Sequence, residues 1–579
     1  SNKMFETLLK KYQERKWEII LLVAIIATGI FFRVYNFSDW LLFEIDQSYD
    51  TLIVSQAVEN GIENLPLLGP TAGGGRALRL GPAFYYMEYV SALIFGDTPT
   101  GHAMLVLILS ILAIPLFYFF IRRYFRLDIA IALTALFSVS AYLILYGRFS
   151  WSPNVLPFLI LLSFYALLRS VAETEARRDR WFLLATLAIT IASQIHFNTF
   201  FTIPTITVLF LLYKRPKFHW KTWVIAIGIV LAIYSPMVLS DISTKGENIG
   251  FFTKKMSKTN ESPLSLLANF PKKFMTDLNY TASGYFLIDS GIDHINGKRV
   301  RDYGLQNNEH LPWRIFAILL FLTQCSILLW NIWREKISDR KDFLILLFLW
   351  IGIPFVYFYS LISSSFQIFP RFFLPFAPIG IILLGLLLEK ILPEKNLMRR
   401  ITLSILMLAF LLPNLSRIQT HFSSLDNPKK NTSVIETDDI FPNNNRLTLE
   451  EQVAITDYLL EKQSRNGYPI YFDAIHEYEP VFWYHLSKRG VSYSNHVNEH
   501  HLYAEGNYFH IQYSTHKIGR KLRESFSVFD KKNFGILTVY TLRPKQQNIT
   551  SLRQLPEEKK YLEQTIQIQA LTTWKNILK

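Results

Sequence analysis

Apolar runs of about 17–25 residues, enough to cross a hydrocarbon core roughly 30 Å thick, recur through the first three quarters of the chain. Eleven are read, over residues 17–36, 101–121, 128–147, 154–170, 181–196, 198–213, 220–239, 313–333, 342–361, 372–390 and 401–417. Backbone polar groups at membrane depth must be satisfied within the segment, so runs of this length and spacing predict a polytopic α-helical membrane protein. The first run is too long for a cleaved leader and lacks a small-residue cleavage site, so it is expected to remain as a helix. Ser1-Asn2 ahead of Lys3-Met4 reads as a tag remnant.

Charge supports this reading. A net +14 on a chain that is half hydrophobic and only 18% charged excludes an ordinary soluble enzyme. Lysine and arginine are distributed alternately: 24 fall in every second connection, beginning with Lys3, Lys10, Lys11, Arg15 and Lys16, and five (Arg33, Arg76, Arg79, Arg148 and Arg371) in the opposite short ones. Cytoplasmic loops keep the positive charge, which predicts a multi-pass plasma-membrane protein with a cytoplasmic N-terminus and an extracytoplasmic C-terminus. The basic excess is therefore topological, and nucleic acid is not an expected partner. A lone cysteine, Cys325, excludes a disulfide framework and any cysteine-rich metal site. No Walker A, Rossmann or HExxH pattern occurs, and the histidines of the tail lack metal-ligand spacing.

This divides the chain into a membrane domain over 1–417, with extracytoplasmic loops 37–100 and 240–312, and a small extracytoplasmic α/β domain over 418–579. In the tail, 449–465, 480–488 and 517–525 have helical patterns, and 469–474, 508–512 and 535–543 strand patterns. The polar stretch 422–447 around Asn443-Asn444-Asn445 reads as the linker.

Ionisable residues at a membrane interface are costly unless they serve function, and the first external loop is crowded with them. Glu44, Asp46 and Asp50 follow the first span, with 49–60 patterned as an interfacial helix. Four apart, Asp46 and Asp50 share a helix face, where mutual repulsion raises one pKa or attracts a cation. Next come Leu67-Leu68-Gly69-Pro70, the triple glycine 73–75, Arg76, Arg79, and Gly81-Pro82-Ala83-Phe84-Tyr85-Tyr86-Met87-Glu88. Guanidinium forks beside tyrosine rings suit a phosphate and a sugar; an interfacial aromatic belt with snorkelling arginines is the alternative. Asp50, Tyr85, Tyr86 and Glu88 are the substrate-binding candidates. A second site candidate is Arg371, the only cation between two long runs, at Phe369-Pro370-Arg371-Phe372-Phe373-Leu374-Pro375. It suits a lipid-linked phosphate or anchors a helix end. His196 and Asn198, where the fifth and sixth runs meet, contact substrate or form a buried structural pair.

In their order, an inward N-terminus, the acidic first loop Asp46-Gln47-Ser48-Tyr49-Asp50, the Pro82…Tyr85-Tyr86 element and the late Arg371…Leu374-Pro375 resemble the membrane-embedded C-type glycosyltransferases (the GT-C superfamily). That superfamily includes the protein O-mannosyltransferases and the lipid A aminoarabinose transferases, and the match is closest to a bacterial branch related to the former, over roughly residues 15–415. The resemblance implies a GT-C fold of about 11 transmembrane helices. It also implies inverting transfer of a sugar from a polyprenyl-phosphate donor to a hydroxyl acceptor on protein, lipid or glycan. The family's catalytic base matches Asp46. Its usual glutamate neighbour falls on Gln47, with Glu44 the nearby carboxylate, and the basic residue often preceding the loop proline is Gly81, leaving Arg79 and Arg76 nearest. The phosphate-binding arginine matches Arg371. No cofactor is required by this reading, and a divalent metal is left open. A transporter or flippase, or an oligosaccharide polymerase or ligase, for a lipid-linked saccharide are the alternatives.

Overall fold

The computed structural model describes residues 2–71, 78–256, 269–292, 311–363, 368–392, 396–426, 446–491, 493–494, 502–552 and 571–578. The membrane part opens with α1 (Asn2–Val34), α2 (Ile45–Asn60), α3 (Ala83–Phe95), α4 (Pro99–Ile121), α5 (Leu127–Val139), α6 (Ala141–Tyr146) and α7 (Leu156–Val171). It continues through α8 (Arg178–Ile195), α9 (Phe197–Lys214), α10 (Trp220–Ser243), α11 (Glu247–Met256), α12 (Phe270–Ser290), α13 (Leu311–Arg334), α14 (Ser338–Ser363), α15 (Ala377–Ile391) and α16 (Asn396–Asp426). Among the described residues, nine segments are long and apolar enough to cross a membrane: those within α1, α4, α9, α10, α13, α14 and α16, with 152–171 ending in α7 and 370–391 ending in α15. The chain is a multi-pass membrane protein.

Two of the eleven expected spans differ. α8 is 18 residues long and carries Arg178, Asp179 and Arg180 in its first turn, so its uncharged part falls short of the length of the other nine. The run 128–147 is broken at Ser140, whose backbone leaves the helix (φ −56°, ψ 116°). Other elements satisfy the break: Asn414 Oδ1 on α16 accepts the Ala141 N–H at 2.7 Å, and Ser140 Oγ donates to the Ile288 carbonyl of α12 at 2.8 Å. Such tertiary partners remove the penalty of an interrupted helix at depth, and periodicity carries no trace of them.

α12 lies within the stretch expected as external loop 240–312. It packs across α13, α14, α15 and α16, with Gly284 seated on the Phe373 ring, where an added Cβ would come within 2.6 Å.

The C-terminal part comprises α17 (Leu449–Asn466), β1 (Ile470–Ala474), α18 (Glu479–Lys488), β2 (Tyr493–Ser494), β3 (Leu502–Tyr503), β4 (Asn507–Tyr513), α19 (Arg520–Ser525), β5 (Phe526–Phe534), β6 (Leu537–Pro544), β7 (Ile549–Ser551) and α20 (Trp574–Ile577). Five strands form one sheet in the order β2-β1-β4-β6-β5, with β1 parallel to both neighbours and β4, β6 and β5 antiparallel. α17 packs on this sheet, Tyr458 ring to ring with Phe534 and its hydroxyl on Asp530. The expected α/β layer is present. Its predicted helix over 517–525 shortens to α19, and β5 was not predicted because its largely exposed residues give no apolar alternation. α16 runs on to Asp426, past the expected boundary at 417, while the expected linker is largely outside the described residues.

The two parts share one apolar core. Phe43, just ahead of α2, packs edge-on against Tyr484 of α18, and Gln452 of α17 donates to the Phe43 carbonyl at 2.8 Å. The C-terminal end returns to the first loop as well: Leu67 N–H bonds to the Thr572 carbonyl, and Trp574 Nε1 donates to the Tyr86 hydroxyl at 2.8 Å.

Candidate functional site

α2 starts where a capping box allows it. Glu44 is the N-cap in extended conformation, and Gln47 three residues on accepts the Glu44 N–H through Oε1 at 3.1 Å. The residue standing where the resembled family has a glutamate therefore closes a helix start. Asp46 sits in that first turn with its carboxylate exposed, at the positive end of the helix. Glu44 faces the other way. It accepts the Tyr478 hydroxyl at 3.1 Å and lies near Arg446, whose Nη2 donates to the Trp40 carbonyl. Burial raises its pKa against the pull of Arg446 and Tyr478, with Glu477 and Asp46 adding to the rise.

One turn further, Asp50 is buried at 8% exposure and accepts the Tyr85 hydroxyl of α3 at 2.8 Å. Burial, then Glu88 and Asp46, push the Asp50 carboxyl well above the usual range, opposed by the Tyr85 bond and by Arg79. The repulsion expected of the 46/50 pair thus falls on the buried member. Glu88, on the same helix as Tyr85 and 2% exposed, accepts the Ser150 hydroxyl at 2.8 Å and lies 3.4 Å from His102 Nδ1.

Glycine shapes the loop between α2 and α3. Gly69 N–H bonds to the Leu80 carbonyl and Leu80 N–H to that of Pro70, drawing the strands so close that a Cβ on Gly69 would lie 2.0 Å from the Gly81 carbonyl oxygen. Arg79 is held in this crossing: its Nη1 donates to the Gly69 carbonyl at 3.1 Å, and its backbone exchanges hydrogen bonds with the Asn248 side chain. Arg76 lies outside the described residues. Tyr86 points away from the acids, donating to the Pro66 carbonyl and accepting from Trp574.

The second group is built on the turn Pro370–Phe376. Tyr142 donates to the Pro370 carbonyl at 2.6 Å and Asn198 Nδ2 to that of Phe372 at 3.3 Å, so the carbonyls on both sides of Arg371 are tied down. The guanidinium lies over the rings of Phe369 (4.5 Å), Trp151 (5.0 Å) and Phe372 (5.7 Å), cation–π contacts that hold the cation against the turn. His196 caps α9, its Nδ1 accepting the Asn198 N–H at 3.2 Å. That bond leaves the proton of the neutral ring on Nε2. Burial and the adjacent Arg371 push the imidazole pKa down to about 3, so the ring is a neutral N–H donor beside a fixed cation.

The two groups meet at consecutive residues: Ser150 binds Glu88 and Trp151 stacks under Arg371. A line of neighbours thus runs from Asp46 through Asp50 and Glu88 to Ser150, Trp151 and Arg371. Of the sequence candidates, Asp46, Asp50, Tyr85, Glu88 and Arg79 come together on one side, and Arg371, His196 and Asn198 on the other. Glu44 and Tyr86 instead fasten the C-terminal part. Sequence reasoning missed Ser150, Trp151, His102 and Asp97. Of these only His102 left a signal, an ionisable side chain inside an apolar run. Among the described residues, no three His, Cys, Asp or Glu side chains are grouped to hold a metal ion.

The family profile described as dolichyl-phosphate-mannose-protein mannosyltransferase matches residues 80–239, from the glycine crossing through α10. No curated protein sequence matches the chain. Similar solved structures include ArnT from Cupriavidus metallidurans in the apo state, 13% identical with a TM-score of 0.48, covering 91% of this chain and 98% of that one. The same protein bound to undecaprenyl phosphate has equal identity and TM-score, covering 93% and 99%. Over residues 80–239, the chain is similar to the dolichyl-phosphate-mannose-protein mannosyltransferase family.

Proposed function

We propose that this protein is an integral membrane glycosyltransferase that moves a sugar from a polyprenyl-phosphate carrier to a hydroxyl acceptor at the extracytoplasmic face, with inversion at the anomeric carbon. The observation that carries this reading is the junction at Ser150-Trp151, which joins a group of acids to a pinned arginine. A transfer of this type needs both. A carboxylate takes the proton of the attacking hydroxyl, and a cation stabilises charge building on the leaving phosphate.

Asp46 is the proposed base. As the acceptor oxygen bonds to the anomeric carbon, the hydroxyl proton passes to the Asp46 carboxylate, the bond from that carbon to the phosphate oxygen breaks, and polyprenyl phosphate leaves with the electron pair. Arg371 and the His196 Nε2–H hold the phosphate, and Asn198 fixes the turn on which Arg371 stands. Asp50 is protonated and structural, kept in place by Tyr85. Glu88 and Arg79 line the sugar side. Glu44 is assigned to docking of the C-terminal part and not to chemistry. The alternating distribution of lysine and arginine supports a cytoplasmic N-terminus, with 1–417 as the membrane domain and 418–579 closing over the start of α2 from outside the cell.

The test incubates purified protein in liposomes with polyprenyl-phosphate sugars and candidate hydroxyl acceptors, and follows the new glycosidic bond. Transfer by wild type that Asp46→Asn abolishes supports the reading. Undiminished transfer by Asp46→Asn removes the base, and movement of lipid-linked sugar across the bilayer without a new bond replaces the enzyme with a transporter.

A further inference from the structure

His102 belongs to none of the roles above, yet it is almost fully enclosed beside the site. It stands in the first turn of α4, 1% exposed, with its backbone N–H on the Thr98 carbonyl. Its ring lies between two carboxylates. Nε2 is 2.7 Å from Asp97 Oδ1 and Nδ1 is 3.4 Å from Glu88 Oε1, the oxygen that also receives the Ser150 hydroxyl.

Asp97 extends the line outward. Oδ1 accepts the Ser55 hydroxyl of α2 at 2.6 Å, and Oδ2 binds Lys488 Nζ, which also binds Glu59. Lys488 ends α18, so the C-terminal part, the start of α4 and the acids of the site form one charged sequence: Lys488, Asp97, His102, Glu88. The ring is faced by Glu88 from α3 and Asp97 from the α3–α4 connection, with Lys488 and Tyr484 of α18 and Asp50 and Glu59 of α2 behind them. Nε2 hydrogen-bonds Asp97, whereas Nδ1 stands at ion-pair distance from Glu88 without a hydrogen bond, and a ring enclosed by two carboxylates is the setting that favours the imidazolium.

We propose that His102 is a positioning residue, an imidazolium held between Asp97 and Glu88 that fixes the Glu88 carboxylate against Ser150 and links docking of the C-terminal part to the shape of the sugar side. The cation offsets the repulsion between the neighbouring acids and stands against the same Glu88 oxygen that receives the Ser150 hydroxyl. It touches no substrate. Its effect on transfer rests on the function proposed above; its charge state does not.

The experiment therefore has two arms on the full chain. In the first, 15N-histidine NMR, assigned with His102→Gln, reads the ring's protonation from about pH 5 to 9. Two protonated nitrogens at pH 7 are expected, and Asp97→Asn, which removes one flanking charge, is expected to lower the titration by about one unit. A singly protonated ring at pH 7, or an unshifted titration in Asp97→Asn, overturns the proposal, whether or not wild type transfers any sugar. In the second arm, His102→Gln is expected to lower kcat about tenfold, as for a misplaced catalytic group, with the KM for donor unchanged. In a Glu88→Gln background it is expected to add nothing. Wild-type kcat in His102→Gln overturns the proposal. If His102→Gln does not fold, the Asp97→Asn titration decides.

Discussion

Tyr85 donates its hydroxyl hydrogen to Asp50 across 35 residues of sequence, a bond that ties α3 to α2 inside the site. Burial pushes the Asp50 carboxyl well above its ordinary range, which favours its neutral form and a structural role for the bond. Tyr85→Phe leaves a buried acid without its donor and is expected to cost about 1–3 kcal/mol. Asp50→Asn keeps an acceptor for the same hydroxyl and is expected to cost less. Thermal unfolding of the two variants in detergent checks the order; equal losses would contradict it.

Stability against pH separates Asp50 from Asp97. The folded pKa of Asp50 is raised, so its contribution is full below its unfolded value, about 4, and is lost as pH rises through the folded value. Asp97 is the reverse. Burial alone would raise it, but hydrogen bonds from His102, Lys488 and Ser55 outweigh that and hold it below the ordinary carboxylate range. Its contribution is present above about pH 4 and lost as pH falls. Asp50→Asn is therefore expected to flatten the alkaline side of a melting-temperature profile, and Asp97→Asn the acid side. Profiles unchanged in shape would contradict both assignments.

The glycine crossing offers a graded test. A methyl on Gly69 would strike the Gly81 backbone carbonyl at 2.0 Å, whereas one on Gly81 would meet the Gln194 side chain at about 2.4 Å. A side chain yields more easily than a backbone. Gly81→Ala is expected to cost roughly 1–3 kcal/mol, as overpacking usually does, and Gly69→Ala more, with loss of the Arg79 position. Limited proteolysis of the 65–82 loop reports the displacement; a milder Gly69→Ala would contradict the geometry.

Tyr478 fastens the C-terminal part to α2: its hydroxyl donates to Glu44 Oε1 and accepts the Leu447 N–H. Tyr478→Phe strands both partners and is expected to cost about 1–3 kcal/mol, making the C-terminal part the first to be cleaved by protease. Cleavage at the wild-type rate would contradict a fastening role.

Much of this architecture was legible because membrane spans and charge asymmetry are local and compositional. The runs at 17–36, 313–333 and 401–417 stand out from hydropathy alone, and 449–465 from its helical periodicity. The break at Ser140 was not legible, because what permits it is Asn414 on a helix far along the chain. β5 was hidden by its own exposure. In the site, the resemblance picked out Asp46 and Arg371, but the roles of their neighbours depended on direction: Glu44 and Tyr86 have the right chemistry and the wrong orientation, each turned toward the C-terminal part. Trp151, which joins the acids to Arg371, is an ordinary interfacial aromatic in the sequence and acquires meaning only from Ser150 beside it.

The central claim, that Asp46 acts on the acceptor and Arg371 on the donor phosphate, is tested most directly by measuring donor affinity and single-turnover transfer side by side in Asp46→Asn and Arg371→Ala. Asp46→Asn is expected to bind a polyprenyl-phosphate sugar as wild type does and to lose transfer by about 100-fold or more. Arg371→Ala is expected to weaken donor binding as well as slow transfer. Wild-type transfer in Asp46→Asn, or wild-type donor affinity in Arg371→Ala, would contradict the account.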